Sequence, residues 1–282
     1  MDDRALSGVT PASDLPPLRL AHLYPSVLNV AGDGGNVVAV ERRCAWRGIP
    51  TETVPIELGD HPDLRTFDIV FFHGGQDVEM AVVAEEIGSR AQSLREAVDD
   101  GVVIFAVCAG LQLLGHRYVT PTGPPLVGAG ILDIETRVGT ERFMQHAAIE
   151  VTIGDERRVV VGFENHSGLT ELGPSAQPFG TVMAGSGNNG RDGTEGAVSG
   201  HVYGTYLHGP VLPKNPWLTD QLIRIALERR VGGAVDLTLL DDTIELHAHQ
   251  VALEYALRNR GRRTALNPMT RARTSTRRGT NE

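Results

Sequence analysis

Cys108 and His208 are the side chains of this sequence whose types and surroundings suit covalent chemistry. A cysteine thiolate attacks a carbonyl carbon, and an imidazole moves the proton that attack and departure require. Cys108 stands in Gly101-Val-Val-Ile-Phe-Ala-Val-Cys-Ala-Gly-Leu-Gln-Leu-Leu-Gly115. Residues 102–107 form a short apolar run rich in β-branched side chains, which predicts a strand buried on both faces of a parallel sheet. Leu111, Leu113 and Leu114 continue at helical spacing, so Cys108 falls at the turn from strand to helix. Such a turn lifts a side chain above the carboxyl edge of a sheet. The helix N-terminus there favours a thiolate, and Ala109 and Gly110 keep the approach open. An inert core cysteine is the plain alternative, since free cysteine is among the most buried residue types.

A cysteine nucleophile needs a base within hydrogen-bond reach. Of ten histidines, His208 has the best setting. It follows the short apolar run 203–207 and precedes Gly209-Pro210, which places it at a strand end. His166, in Glu164-Asn-His-Ser-Gly168, is the second candidate. Pro210 occupies the position two residues after His208, so no carboxylate stands at that spacing. Either the site works as a dyad or another group orients the ring. Gly74 and Gly75 close the apolar run 67–73, again at the carboxyl end of an expected strand. Free N–H groups there suit an oxyanion, and an ordinary β–α turn is the alternative. Together these groups suit acyl transfer from a carboxamide, with ammonia leaving and water cleaving the thioester.

The elements that must position these groups read as follows. Residues 18–24 predict a first strand, 27–35 a Gly-rich loop and 36–48 a helix with Val37, Val40 and Cys44 on one face. Strands are expected over 50–58 and 67–73, and a helix over 78–100. Strand alternating with helix argues for a doubly wound α/β domain. The glycines at 32, 34 and 35 lack the order of a dinucleotide fingerprint. After Gly115 the texture changes. Residues 118–139 read as turns, 143–151 and 159–163 as antiparallel strands, and 185–200 as a hairpin or flexible loop. A strand over 203–207 and helices over 218–230 and 243–259 complete the chain. The expected fold is α/β, with a central mostly parallel sheet flanked by helices and an antiparallel extension.

The chain has 282 residues, 41% hydrophobic and 22% charged, enough for one large domain with a sizeable core. A net charge of −9 argues against a nucleic-acid binder. Two cysteines are too few for a disulfide framework and suggest a reducing compartment. No apolar run approaches the roughly 18 residues of a membrane span, and the start has no signal-peptide pattern. A cytoplasmic protein is expected. Residues 1–17, with three prolines, read as a disordered leader, 18–260 as the folded domain and 261–282 as a basic disordered tail. Eight arginines and no acidic residue lie between Arg258 and Arg278. Such a tail suits an anionic surface, lipid head groups included, although a merely solvated tail is the simpler reading.

The turn Cys108-Ala-Gly-Leu-Gln112 resembles the nucleophile turn of class I glutamine amidotransferases in their cobyric-acid-synthase-like branch. Gly130-Ile-Leu-Asp133, Val161-Gly-Phe-Glu-Asn-His-Ser-Gly168 and the long Gly204-Thr-Tyr-Leu-His-Gly-Pro-Val-Leu-Pro-Lys-Asn215 carry the same likeness. It extends over residues 18 to 260 or so. The resemblance implies that Cys108 is the nucleophile and His208 the base. It implies glutamine contacts from Gln112, Arg142 and Asn165, and an oxyanion site at Gly74, Gly75 and Ala109. A guanidinium can grip a carboxylate through two N–H groups, and glutamine carries one. The bland readings are a surface ion pair for Arg142 and a tied turn for Asn165. Ala109 and Ala106 stand where many family members have glycine, and the branch commonly lacks the third carboxylate.

Within the branch the likeness is strongest to glutaminase subunits that form heterodimers with a Mur-ligase-like, MurT-type partner. That implies hydrolysis of L-glutamine to glutamate and ammonia. The ammonia would serve an ATP-dependent partner that amidates the D-glutamate α-carboxyl of lipid II, at the inner face of the membrane. No cofactor or metal is expected in this chain, which has neither a Walker loop nor a Cys/His zinc pattern. ATP and magnesium are expected in the partner. A cobyrinate-type amidotransferase, a DJ-1-like cysteine protein and a non-catalytic module that regulates a ligase are the alternatives.

Overall fold

The computed structural model describes residues 17–29, 32–120 and 124–260. The expected tail, and all of the expected leader but Pro17, lie outside the described residues.

The first half alternates as the sequence pattern requires. Strand β1 (Leu18–Leu23) leads to helix α1 (Gly35–Ala45) and strand β2 (Thr51–Ile56). A 3-10 turn at Leu64–Thr66 precedes β3 (Ile69–Phe72), α2 (Asp77–Asp99), β4 (Val103–Val107) and the short α3 (Ala109–Leu114). The second half is mostly strand: β5 (Arg117–Val119), β6 (Leu126–Val127), β7 (Ile134–Ile153), β8 (Glu156–Leu172) and β9 (Gly180–Ala184). It continues through β10 (Thr194–Glu195), β11 (Ala197–Ser199), β12 (Val202–Thr205) and β13 (Leu207–His208). A 3-10 turn at Leu212–Lys214 leads into α4 (Pro216–Val231), and α5 (Thr243–Arg258) follows.

One sheet runs in the order β11-β12-β4-β3-β1-β2 and is parallel throughout except for the edge pair β11–β12. Every residue of β3, β4 and β12 is buried, as continuous apolar strands between helices must be. This is the expected mostly parallel sheet flanked by helices. Helix α1 buries Val37, Val40 and Cys44. Its Arg43, also buried, grips Asp220 of α4 at 2.6 and 2.7 Å and Asp242, at the start of α5, at 2.6 and 2.9 Å. Bidentate pairing of this kind fixes direction as well as distance. Helix α4 opens on Pro216 and closes on Gly232 with φ +68°, the usual proline-in, glycine-out asymmetry.

The second sheet, β10-β9-β7-β5-β6 with β8 and β13 attached, is larger than the sequence pattern predicts. Residues 134–139 fall in the stretch expected to be turns, yet they open the 20-residue strand β7. Pairing decides this: Ile134 to Val138 face Leu172 to Gly168 of β8 in antiparallel register. Strand β8 likewise runs well past the expected 159–163. Its glycines mark close approach, since a Cβ on Gly162 would lie 2.7 Å from Leu207 Cβ. Within 185–200, strands β10 and β11 form. Asn188 and Asn189 are buried there and donate to the carbonyls of Gly196 and Thr170 at 2.9 and 3.0 Å. Side-chain amides thus close a segment whose glycines and asparagines read as a hairpin or flexible loop.

Candidate active site

Four neighbouring strands of the parallel sheet lead into segments whose groups meet around Gly74. In spatial order they are β12, β4, β3 and β1. Ligands of open α/β sheets bind along that carboxyl edge. Cys108 follows β4 and begins α3 with φ +51° and ψ −103°, a strained conformation for a side-chain-bearing residue. Its N–H donates to Thr205 O at 2.8 Å, which ties the turn to the end of β12. Gly110 is small because a Cβ there would collide with the carbonyl of Phe72. Opposite Ala106, Gly204 stands in register and leaves its own Cβ space to Leu111.

His208 lies three residues past Thr205, the last residue of β12. Strand β13 pairs with β8, setting His208 opposite Phe163. Glu195 fixes the approach by accepting from Tyr206 N at 2.6 Å and Thr205 Oγ1 at 2.9 Å. Burial pushes the Glu195 carboxyl up to about 8 against those two bonds.

The carboxylate absent at the expected spacing comes from the other end of the chain. Asp33, fully buried after β1, meets His208 Nδ1 with Oδ2 at 2.9 Å. Burial opposes a charge on the ring, but the Asp33 hydrogen bond and the adjacent Cys108 outweigh it and push His208 up to about 10. Nδ1–H points to the carboxylate, so Nε2 is the atom left for Cys108 and a substrate. Among the described residues Nε2 is buried and has no hydrogen-bond partner. Gly74 is the seat of this arrangement. A Cβ there would lie 2.9 Å from His208 Cε1, 3.1 Å from Asp33 Oδ2 and 3.5 Å from Cys108 Cβ.

The opposite wall is built by the β7–β8 hairpin. Its ladder breaks between Val138 and Phe143, so that residues 139–142 bulge outward. The bulge carries Arg142 over the cavity, where Nε donates to Asn165 Oδ1 at 2.8 Å. Behind them His166 stacks on Tyr206, ring centroids 3.7 Å apart and 11° from parallel. Tyr206 OH accepts from Gln112 Nε2 at 3.0 Å and meets Thr170 Oγ1 at 2.6 Å, which contacts Thr136 Oγ1 at 2.7 Å. Burial holds His166 down to about 3, with the charges of His208 and Arg142 adding to it against the Gly168 carbonyl.

The cavity between the walls holds about 310 Å³, the size of a small amino acid with water. Of the residues singled out in the sequence, Gly75, Cys108, Gln112, Arg142, Asn165 and His208 line it together. Gly74 and Ala109 lie behind the lining. Their backbone positions flank Cys108, and Ala109, as the first helical residue, has an N–H outside the α3 ladder. His166 lines the cavity too, but its Nδ1 is engaged by Gly168 O at 2.9 Å. Sequence reasoning passed over Asp33, although a lone acid between Gly32 and Gly34, after a first strand, carried a signal. Glu79 of α2, also passed over, lines the cavity without any motif to mark it. Among the described residues no group of three or more His, Cys, Asp or Glu could hold a metal ion. No helix among them is long and apolar enough to cross a membrane.

A cysteine on a strand–helix turn, a histidine at the next strand end and an amino-acid-sized cavity define a glutaminase-type site on an α/β sheet. The chain belongs to the CobB/CobQ-like glutamine amidotransferase domain family, whose model matches residues 19–216. Along most of its length it is similar to the GatD subunit of the glutamine-hydrolysing lipid II isoglutaminyl synthase. The Staphylococcus aureus (strain N315) subunit is 37% identical over 246 residues, 86% of this chain and 98% of the relative. The Streptococcus pneumoniae (strain ATCC BAA-255 / R6) subunit is 33% identical over 240 residues, 85% of this chain and 90% of the relative. Cobyric acid synthase of Limosilactobacillus reuteri (strain DSM 20016) matches at 30% over 63% of this chain, but over only 36% of its own length.

Proposed function

We propose that this chain is the glutaminase subunit of a lipid II isoglutaminyl synthase and that Cys108, His208 and Asp33 perform the hydrolysis. The observation that carries the residue assignment is the Asp33–His208 pair, which leaves Nε2 as the ring's free corner beside Cys108.

In this reading the resting site holds a thiolate and an imidazolium. L-Glutamine enters with its α-carboxylate on Arg142, and Asn165 and Gln112 steady its chain. The Cys108 sulfur forms a bond to the amide carbon, and the C=O electron pair moves onto oxygen. Backbone N–H groups at Gly74, Gly75 and Ala109 hold that oxyanion. His208 Nε2–H gives its proton to the nitrogen, the C–N bond breaks, and ammonia leaves with a thioester behind it. Water then attacks the thioester while Nε2 accepts its proton. The C–S bond breaks, glutamate departs, and thiolate and imidazolium are restored. Asp33 keeps Nδ1 protonated and the ring aimed, as the acid of a triad does. Ammonia passes to a Mur-ligase-like, MurT-type subunit, which binds ATP and magnesium and amidates the D-glutamate α-carboxyl of lipid II. This chain needs no metal of its own.

The similarity to GatD subunits, at higher identity and along nearly their whole length, favours this over a cobyrinate-type enzyme. The test is ammonia release from L-glutamine by the chain, alone and with a Mur-ligase-like subunit. Wild type is expected to release it, with stimulation by the ligase subunit. Cys108→Ala should lower release by at least about 10³-fold, the scale seen when a covalent nucleophile is lost. Release that survives in Cys108→Ala would remove the cysteine from the mechanism.

A further inference from the structure

The substrate proposed above carries three polar ends, and the assignments account for two. The amide lies at Cys108 and the carboxylate at Arg142. The α-ammonium is a cation that must enter a half-open cavity, where a charge left unpaired loses part of its hydration.

Among the described residues, two buried acceptor atoms of the cavity lining have no donor. Glu79, two residues into α2, lines it and is the one carboxylate that does so among the described residues. Its stem lies against the Gly74–Gly75 turn, with Cβ 3.7 Å from where a Gly75 Cβ would stand. Its Oε2 is buried with no hydrogen-bond partner, and among the described residues Glu79 makes no ion pair. The second acceptor is His166. It is 3% exposed and lines the same cavity. Because Nδ1 meets the carbonyl of Gly168, it must carry the proton, so Nε2 presents a lone pair. That Nε2 is also buried and without a partner. The ring stays neutral through the working range, its charge suppressed by burial. Buried polar atoms left unpaired in a native protein call for an explanation. Here both missing partners are hydrogen-bond donors, and one acceptor is anionic.

We infer that Glu79, seconded by the neutral Nε2 of His166, receives the α-ammonium of the substrate and so restricts the site to amides of α-amino acids. This rests on the glutaminase reading and adds to it a residue that selects the substrate. The same chemistry would suit the ammonium ion formed by the reaction, and a kinetic comparison separates the two.

The experiment compares L-glutamine with glutaramate, which has the same amide and carboxylate but no amino group. Each is measured with wild type and Glu79→Gln, as full chain with the ligase subunit, following ammonia release. Glu79→Gln keeps the shape and removes the charge. The expected result is a fall in kcat/KM for L-glutamine of about 10- to 100-fold, mostly through KM, with glutaramate changed less than about twofold. Glu79→Asp should recover part of the loss, and His166→Gln should narrow the same preference by a smaller factor. Equal losses on both substrates would overturn the inference, because Glu79 would then act on the fold or on the amide end. So would a change confined to inhibition by ammonium chloride, which would assign Glu79 to the product, and so would no change at all. Wild type that turns over neither compound would end the glutaminase reading itself, a different outcome from wild type that works and a variant that discriminates equally well.

Discussion

His208 and His166 face the same cavity and are equally buried, each about 3% exposed, yet they hold protons over opposite ranges. His208 is pushed up to about 10 and His166 down to about 3. Burial acts in the same direction on both. The difference lies in what each element offers the ring. At the edge of the parallel sheet His208 meets a buried carboxylate and a sulfur. In the antiparallel hairpin His166 meets an aromatic face and a carbonyl. In the proposed mechanism one wall serves proton transfer and the other recognition, and the same side chain suits both because its neighbours choose its charge.

The comparison breaks first at Asp33. Asp33→Asn should lower kcat about 10²- to 10³-fold with little change in KM, as the ring loses both its orientation and its charge partner. NMR of the His208 ring should show its titration moving down from about 10. If kcat holds, the two histidines do not differ in the way the geometry says. On the hairpin side, Arg142→Ala should do the reverse, raising KM for glutamine about 10- to 100-fold with a smaller effect on kcat. Loss of turnover without a change in KM would move Arg142 into the chemistry.

Stability should follow pH in opposite ways for the two rings. A histidine raised in the folded state contributes stability that is full below the unfolded value near 6.5 and lost as pH rises through about 10. A histidine held neutral contributes stability that is full above about 6.5 and lost as pH falls towards 3. Each proton gives a slope of up to about 1.4 kcal/mol per pH unit. Urea unfolding across pH should therefore lose its alkaline slope in Asp33→Asn and keep its acid slope. The smallest effect is expected at Glu195, whose carboxyl, pushed up to about 8, is mostly protonated at neutral pH. Glu195→Gln should change stability at pH 7 by less than about 1 kcal/mol. A larger loss would mean that the carboxylate charge is needed to hold the approach to His208.

The parallel sheet was legible in the sequence because its central strands β3 and β4 are continuous apolar runs. Cys108 could be placed at a strand–helix turn for the same reason. The hairpin was harder. Strand β8 runs on from the expected 159–163 through Gly168, a residue that local patterning reads as a break. The purpose of Gly162 and Gly168, room for Leu207 and for the Gln112–Tyr206 pair, depends on residues far away in the chain. Asp33 lies 175 positions from His208. No spacing rule reaches that far, and only the strand order makes the two neighbours. Arg142 was noticed through family likeness alone. The bulge that aims it follows from a register shift between two strands, and a shift of that kind leaves no mark on either strand by itself.

Between Thr205 and Leu207 the chain passes from one sheet to the other: Thr205 pairs with Val107 of β4, and Leu207 pairs with Glu164 of β8. Cysteine and histidine are therefore held by different sheets. In the proposed mechanism the working pair therefore exists only where the two sheets meet, and any motion that parts β13 from the parallel sheet would separate the imidazole from the sulfur.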